Sequence, residues 1–352
     1  MGDFLKETLK LYRYDLPLRK PIVIGSKTLR RRQGLLVSLT ENPSFSSWGE
    51  IAPLPGYSNE TLVEAEVQSI EILKNWTALR LNPDFSKKMD SWHPSVSFGF
   101  SSLFENRIVA QSDLKIARLL SGTSKEILDQ AHQIYLSHSA CTLKVKIGER
   151  SPSEEASLIW AISEKFRGSP LRLDVNRRWN LSQALSFAMQ IKNCPIEFME
   201  EPVDRFEDIN TFVNESQLNV ALDESLRRGQ SAVQSIQATH WIIKPTVLGS
   251  HTRIRNWIAA AEVNQIQPIL SSLYETGVGT FHLLQLNFLI SAPNAIGLDP
   301  YSELRSDILE VPLYPPFSSE ISINQLPNRL VPCIDQLQLV YETHENTHRV
   351  TP

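Results

Sequence analysis

From Thr142 onward, short runs of β-branched and apolar residues alternate with segments in which apolar residues recur at helical spacing. That alternation is the pattern of repeated βα units around a parallel sheet. The runs predict strands at Thr142–Ile147, Leu171–Val175, Ile196–Met199, Asn219–Leu222, Trp241–Ile243, Gln267–Ser271 and Ala295–Leu298. A preceding run, Ile116–Leu120, makes eight. Helix signals fill the gaps. Ser151 reads as an N-cap with Pro152 at the first helical position and Glu154 completing a capping box, and Gly168 reads as a stop. Leu158, Ile159, Ile162 and Phe166 form one apolar face, and Asn180 with Gln183 repeats the capping pattern one unit later. The predicted fold class is α/β, a (β/α)8-type barrel.

The first 110 residues break this rhythm. Pro21–Ile24 and Leu35–Leu39 are β-like and a helix is predicted from Thr61 to Trp76, so this is an α+β capping unit rather than another βα repeat. Residues after Leu309 are proline-broken and then strand-like at Leu337–Tyr341, which predicts a return to the N-terminal unit. The expected domains are therefore a cap of residues 1–110, joined by 312–352, and a catalytic barrel of 111–311. A chain of 352 residues has room for both, since a barrel takes about 250.

Composition narrows the partners. With 35 basic and 39 acidic residues there is no overall field to favour nucleic acid or an anionic membrane, which leaves a small molecule. Three scattered cysteines suggest neither a disulfide framework nor a thiolate metal site, and no apolar run approaches the ~18 residues of a membrane span. A cytoplasmic protein is expected. The sequence does not report an oligomeric state.

The chemistry lies in a ladder of ionisable residues at the predicted strand ends: Lys146, Asp174, Glu200, Asp223 and Lys244, spaced by 28, 26, 23 and 21 residues. Each step is about one βα unit, and strand C-termini of a barrel converge on one mouth. A single acid at a strand end is usually a helix cap. Three in register between two lysines point instead to a hard divalent cation held by Asp174, Glu200 and Asp223, with magnesium the default and manganese the alternative. No organic cofactor is expected. Lys144 and Lys146 share a strand face, and burying both ammonium groups is expected to lower their pKa and free a neutral amine as base. Lys244, after an apolar strand and before Pro245, is expected to face the same mouth. Together the set suits removal of a proton next to a carboxylate.

Lys144-Val-Lys146, Asp174-Val-Asn176, Glu200-Glu201-Pro202, Asp223-Glu224-Ser225, Lys244-Pro245-Thr246, Ser271-Ser272 and Pro53-Leu-Pro-Gly56-Tyr57-Ser58 together resemble the enolase superfamily, and within it the o-succinylbenzoate synthase family. The resemblance covers nearly the whole chain. It implies a hydro-lyase that carries out a magnesium-dependent syn-dehydration of 2-succinyl-6-hydroxy-2,4-cyclohexadiene-1-carboxylate to o-succinylbenzoate, a step of menaquinone or phylloquinone biosynthesis. It implies Lys146 as base, Lys244 as charge partner on the other face of the substrate ring, and the three acids as metal ligands; Lys144, from its place on the strand, is expected to support Lys146 by tuning it. Glu201 is expected to point away from the metal.

Relatives differ at nearby positions. Gly297-Leu298-Asp299 lacks the Asp-x-Asp of dipeptide epimerases, and Ser271-Ser272-Leu273-Tyr274-Glu275 lacks the histidine of mandelate-racemase-like enzymes. N-acylamino acid racemases share the lysines and remain an alternative, as does a Schiff-base aldolase from a different class. For substrate contacts, Ser271 and Ser272 with Gly277 and Gly279 either present backbone N–H groups to a carboxylate or form a glycine-eased turn. Arg172 either reaches a substrate carboxylate or makes a structural ion pair. Tyr57 and Ser58, the latter read as a helix cap, sit on a lid-like turn. Arg30-Arg31-Arg32 reads as a solvated hairpin rather than an anion site. His344-Glu345-Asn346-Thr347-His348 matches a zinc motif but follows a strand-like run of poor helix formers, so zinc is rejected there.

Overall fold

The computed structural model describes residues 7–42, 45–105, 113–137, 141–291, 294–322, 326 and 330–343. The zinc-like motif at 344–348 lies outside them. The N-terminal unit is built on β1 (Thr8–Ile24), β2 (Lys27–Asn42) and β3 (Phe45–Ile51), paired antiparallel. The two predicted strands are pieces of longer ones, because most polar residues flanking the apolar runs occupy outward strand positions rather than loops, the buried Arg32 excepted. The helix Leu62–Lys74 begins at Thr61, whose hydroxyl accepts from Glu64 N while the Glu64 carboxylate accepts from Thr61 N. The fourth helix, Pro94–Ser102, is buried from Ser95 to its end and packs on β3. A Cβ on Gly49 would lie 1.9 Å from the Gly99 carbonyl oxygen, so glycine is what lets strand and helix meet.

The chain then makes β4 (Leu114–Lys115), β5 (Arg118–Leu120), β6 (Leu143–Lys146), β7 (Leu171–Asp174), β8 (Ile196–Glu200), β9 (Val220–Leu222), β10 (His240–Ile243) and β11 (Gln267–Leu270). Strands β5 to β11 are parallel neighbours in chain order. The predicted run Ala295–Leu298 contributes two bridging residues. Gly297 N donates to Leu270 O at 2.9 Å and Ile296 N to Lys115 O at 2.8 Å, closing the barrel between β11 and the entry to β5. Its shortness has a local cause: Pro300, which has no N–H to give a ladder, opens a 3-10 turn at Asp299–Glu303. The predicted Ile116–Leu120 likewise resolves into a bridge at Ile116 and the short β5. After β12 (Glu320–Ile321), β13 (Gln338–Glu342) pairs antiparallel with β1 in the N-terminal sheet, with Lys10 opposite Glu342.

Two-residue alternation sorts the barrel side chains. Phe198, Ala221, Ile242 and Ile269 form an apolar layer inside the strands, and the residues two further along carry the polar groups above it. Among the described residues no helix is long and apolar enough to cross a membrane.

A buried histidine ties cap to barrel. His251 opens the helix His251–Val263, stacks on Phe98 at 5.3 Å between ring centroids and lies 3.0 Å from the Ser102 hydroxyl. Burial, with His282 and Arg255 nearby, holds its pKa well below the usual imidazole value. The folded state therefore binds fewer protons at His251 than the unfolded state. The stability this neutral imidazole contributes is complete above ~6.5, its unfolded value, and is lost as pH falls below it, by up to about 1.4 kcal/mol per pH unit. Thermal melts from pH 7 to 5 should show a smaller drop for His251→Leu than for the unaltered protein; equal slopes would refute the assignment.

Candidate active site

A cavity of about 480 Å³ opens at the C-terminal ends of the strands. Lys146, Asp174 and Glu200 stand level on β6, β7 and β8 as register partners, and Asp223 and Lys244 follow the ends of β9 and β10. The strand β10 lies four places from β6 in a closed ring of eight, so Lys146 and Lys244 face each other across the mouth.

The three acids are nearly inaccessible, at 2, 1 and 3% exposure for Asp174, Glu200 and Asp223. Their charges meet ammonium groups. Lys144 Nζ lies 3.0 Å from Asp174 Oδ2 and 2.7 Å from Glu200 Oε2, and Lys244 Nζ bonds Asp223 Oδ2. Burial disfavours the charged form of Lys144, but Asp174 and Glu200 outweigh it and hold its pKa above the ordinary lysine range. The expectation of a lowered pKa is thus corrected for Lys144: the lysine lies between two carboxylates, not beside a second buried ammonium. Lys146 does not meet the burial premise either, with 42% of its side chain exposed; it bonds Asn176 Oδ1 at 3.0 Å. Burial works to raise the Asp174 pKa, but Lys144 and Lys146 hold it down at about 2. Glu200 is pushed well up by burial and by Asp174. Glu224, adjoining the ladder, is raised to about 8 by burial and Asp223, and its Oε2 has no partner. Lys244 is raised because Asp223 and Glu224 outweigh its desolvation.

Among the described residues, no three His, Cys, Asp or Glu side chains are gathered as a ready-made metal cage. The donor chemistry nevertheless fits a hard divalent cation: three carboxylates that offer only oxygen, at the ends of successive strands, buried, their mutual repulsion offset by cations. The cap supplies a further residue. Tyr57 donates to Asp223 Oδ1 at 2.9 Å, accepts from Lys244 Nζ at 3.0 Å, and offers its ring face to that ammonium at 4.5 Å.

Other expected contacts fare unequally. Ser271 and Ser272 line the cavity, but their N–H groups donate to Ile243 O and Gly297 O as barrel hydrogen bonds; only the Ser272 hydroxyl is unpartnered. Gly277 does not line the cavity. Its N–H donates to Asp307 Oδ1, while Thr276 N and Gly279 N donate to Glu50 from the cap, so this helix N-terminus has no donors left for substrate. Ser58 is not the helix cap and is turned inward: its hydroxyl accepts from Leu54 N, closing the turn that carries Tyr57, and Thr61 does the capping. Arg172 forms part of the cavity wall, yet its guanidinium pairs with Glu197 and Ala295 O. Glu201 is fully buried and turned from the cavity, accepting from Asp223 N, Ser225 N and the Ser225 hydroxyl.

Family models match in two stretches, MenC, N-terminal domain over residues 6–105 and enolase C-terminal domain-like over 126–318. Among curated relatives, o-succinylbenzoate synthase of Vibrio cholerae is 32% identical over 313 residues, 86% of this chain and 91% of the relative. That of Pectobacterium atrosepticum is 30% identical over 307 residues, 85% and 92% of the two chains. Solved structures sharing the fold include the L-Ala-D/L-Glu epimerase of Bacillus subtilis, with TM-score 0.80 and 18% identity over 96% of this chain and 99% of that one. Another is the o-succinylbenzoate synthase of Thermosynechococcus elongatus, complexed with magnesium in its active site, with TM-score 0.71 and 23% identity over 87% and 96%. A capped barrel with acids and lysines at its strand ends defines an enolase-superfamily protein. Within that superfamily, the chain belongs to the o-succinylbenzoate synthase family.

Proposed function

We propose that this protein is an o-succinylbenzoate synthase, converting 2-succinyl-6-hydroxy-2,4-cyclohexadiene-1-carboxylate to o-succinylbenzoate and water in menaquinone or phylloquinone biosynthesis. The observation that carries the reading is the placement of Lys146 and Lys244 on opposed strands above three buried carboxylates. Lys146, in its amine form, takes the proton α to the carboxylate. Breaking that C–H bond leaves an electron pair that expels the hydroxide on the adjacent carbon, and the Lys146 ammonium returns the proton to it as water. Because one lysine serves both transfers, the two groups leave from the same face. Lys244 stays charged and opposes the negative charge that builds on the ring.

Asp174, Glu200 and Asp223 would hold the divalent cation, magnesium with manganese as the substitute, and no organic cofactor. Bound there, the cation supplies Lewis-acid stabilisation of the substrate carboxylate as its α-proton leaves. Lys144 keeps Asp174 and Glu200 in place and Tyr57 does so for Lys244. The Ser272 hydroxyl is the proposed donor to the substrate's succinyl carboxylate, with Ser271 and Arg172 shaping the wall. The same reading divides the chain into a cap, residues 1–110 with 312–352, and a catalytic barrel of 111–311.

The test is turnover of the cyclohexadiene substrate beside racemisation of N-succinyl amino acids. Formation of the aromatic product is expected. Racemisation alone would overturn the substrate while leaving the lysines their roles.

A further inference from the structure

We propose that Arg32 is a positioning residue for this reaction, joining the Tyr57 turn of the cap to the Tyr274 turn of the barrel so that both walls of the cavity are set by one guanidinium. Arg32 lies on β2, is 1% exposed, and spends its donors on main-chain carbonyls. Nε donates to Tyr274 O at 3.1 Å, Nη1 to Gln33 O at 2.7 Å and to Pro53 O at 3.0 Å, and Nη2 to Ala52 O. Taking a guanidinium out of water to bind carbonyls on two separate segments is costly unless every donor is met. Here four of the five N–H donors are met, and three of those four only when both segments stand where the cavity needs them.

Each segment has its own reason to require an external hold. Ala52 and Pro53 lead into a turn that is closed internally, with Tyr57 N and Ser58 N donating to Leu54 O and Leu54 N donating to Ser58 Oγ. The turn is therefore a small unit joined to β3 through Ala52-Pro53, the residues whose carbonyls Arg32 holds. Its far end is fixed by Arg227 Nη1 on Tyr57 O. On the barrel side, Tyr274 has φ +62, a conformation that bulky residues rarely adopt, and its carbonyl faces Arg32. Both Tyr57 and Tyr274 line the cavity, and Tyr57 touches Lys244 and Asp223. Lysine in place of Arg32 keeps the charge but brings one nitrogen where the fork brings three.

This inference rests on the dehydratase reading, so its test has one arm that does not. Arg32→Lys is compared with Ile72→Ala, which opens the separate apolar core of the cap and lowers stability without approaching the cavity. At 25 °C, kcat/KM of Arg32→Lys should fall at least about tenfold, toward the 10²-fold that small misplacements cost, with most of the loss in kcat. Amide exchange at Tyr57 and Ser58, read by mass spectrometry on the same samples, should quicken by about tenfold or more. Unchanged kcat/KM in Arg32→Lys, a loss no larger than that of Ile72→Ala, or an Arg32→Lys that does not fold would each overturn the proposal, the last by making Arg32 a requirement of the fold. Absence of turnover in the unaltered protein would sink the dehydratase reading instead. The exchange rates would then decide for Arg32 alone.

Discussion

Lys146→Ala is expected to lower kcat for the dehydration on the order of 10²–10⁴-fold while leaving the melting temperature nearly unchanged. The separation of effects follows from the environment of each lysine. Lys146 is 42% exposed, bonds Asn176 and stands 4.0 Å from Asp174, so its removal breaks little that holds the barrel together. Lys144 differs. Its ammonium is the close partner of two buried carboxylates, and Lys144→Ala would leave Glu200 uncompensated and Asp174 with only Lys146 at 4.0 Å, at a cost of about 3–5 kcal/mol in stability. Lys244→Ala should combine the two outcomes, since the side chain is buried against Asp223 and Tyr57 and also lines the cavity. Turnover assays paired with thermal melts on the three variants would separate these roles. Full activity in Lys146→Ala would remove it as the proton carrier, and trapping of substrate on either lysine by borohydride would favour the Schiff-base alternative.

The ladder was legible because a parallel barrel repeats: one ionisable residue per βα unit, in step, needs only counting to be seen. Local capping was equally legible, as at Ser151 and Asn180, where donor and acceptor lie three residues apart. What could not be read is set by contacts between distant parts of the chain. Glu50 caps the helix at Gly277–Asn287 from 226 residues away at Thr276, a partner that no local pattern around Gly277 reveals. Arg32 reads as solvated because two arginines precede it, both exposed, and only the fold buries it. Glu155 has the sequence surroundings of a first-turn helix acid, yet it accepts from Gly148, Glu149 and Arg150 N–H groups and shapes the loop after Lys146. Glu201 does the same for the loop of Asp223. Buried carboxylates thus anchor several active-site loops without facing the cavity, and their signal in sequence is indistinguishable from a cap. The sign of the Lys144 shift is hidden for a related reason: two lysines on one strand are visible in sequence, the acids facing one of them from β7 and β8 are not.

Chelation should abolish turnover, and magnesium should restore it and raise the melting temperature, both effects vanishing in Glu200→Gln. A cation that binds only the folded protein stabilises it by RT ln(1 + [L]/Kd), about 2.7 kcal/mol at a hundred times Kd. Glu200 is the sharpest place to break the set. It is the most buried of the three acids, lies between the other two along the ladder, and is driven toward its protonated form by burial and by Asp174. Glutamine keeps the shape and one oxygen while removing a charge that is repelled by its neighbours, so the cation-free variant should melt no lower than the cation-free parent. A structural role for Glu200 predicts the opposite, because Lys144 would lose one of its two carboxylate partners. Calorimetric melts of parent and variant, each with chelator and with magnesium, distinguish the two. A variant that melts lower without cation, yet keeps the full magnesium shift, would place the cation elsewhere.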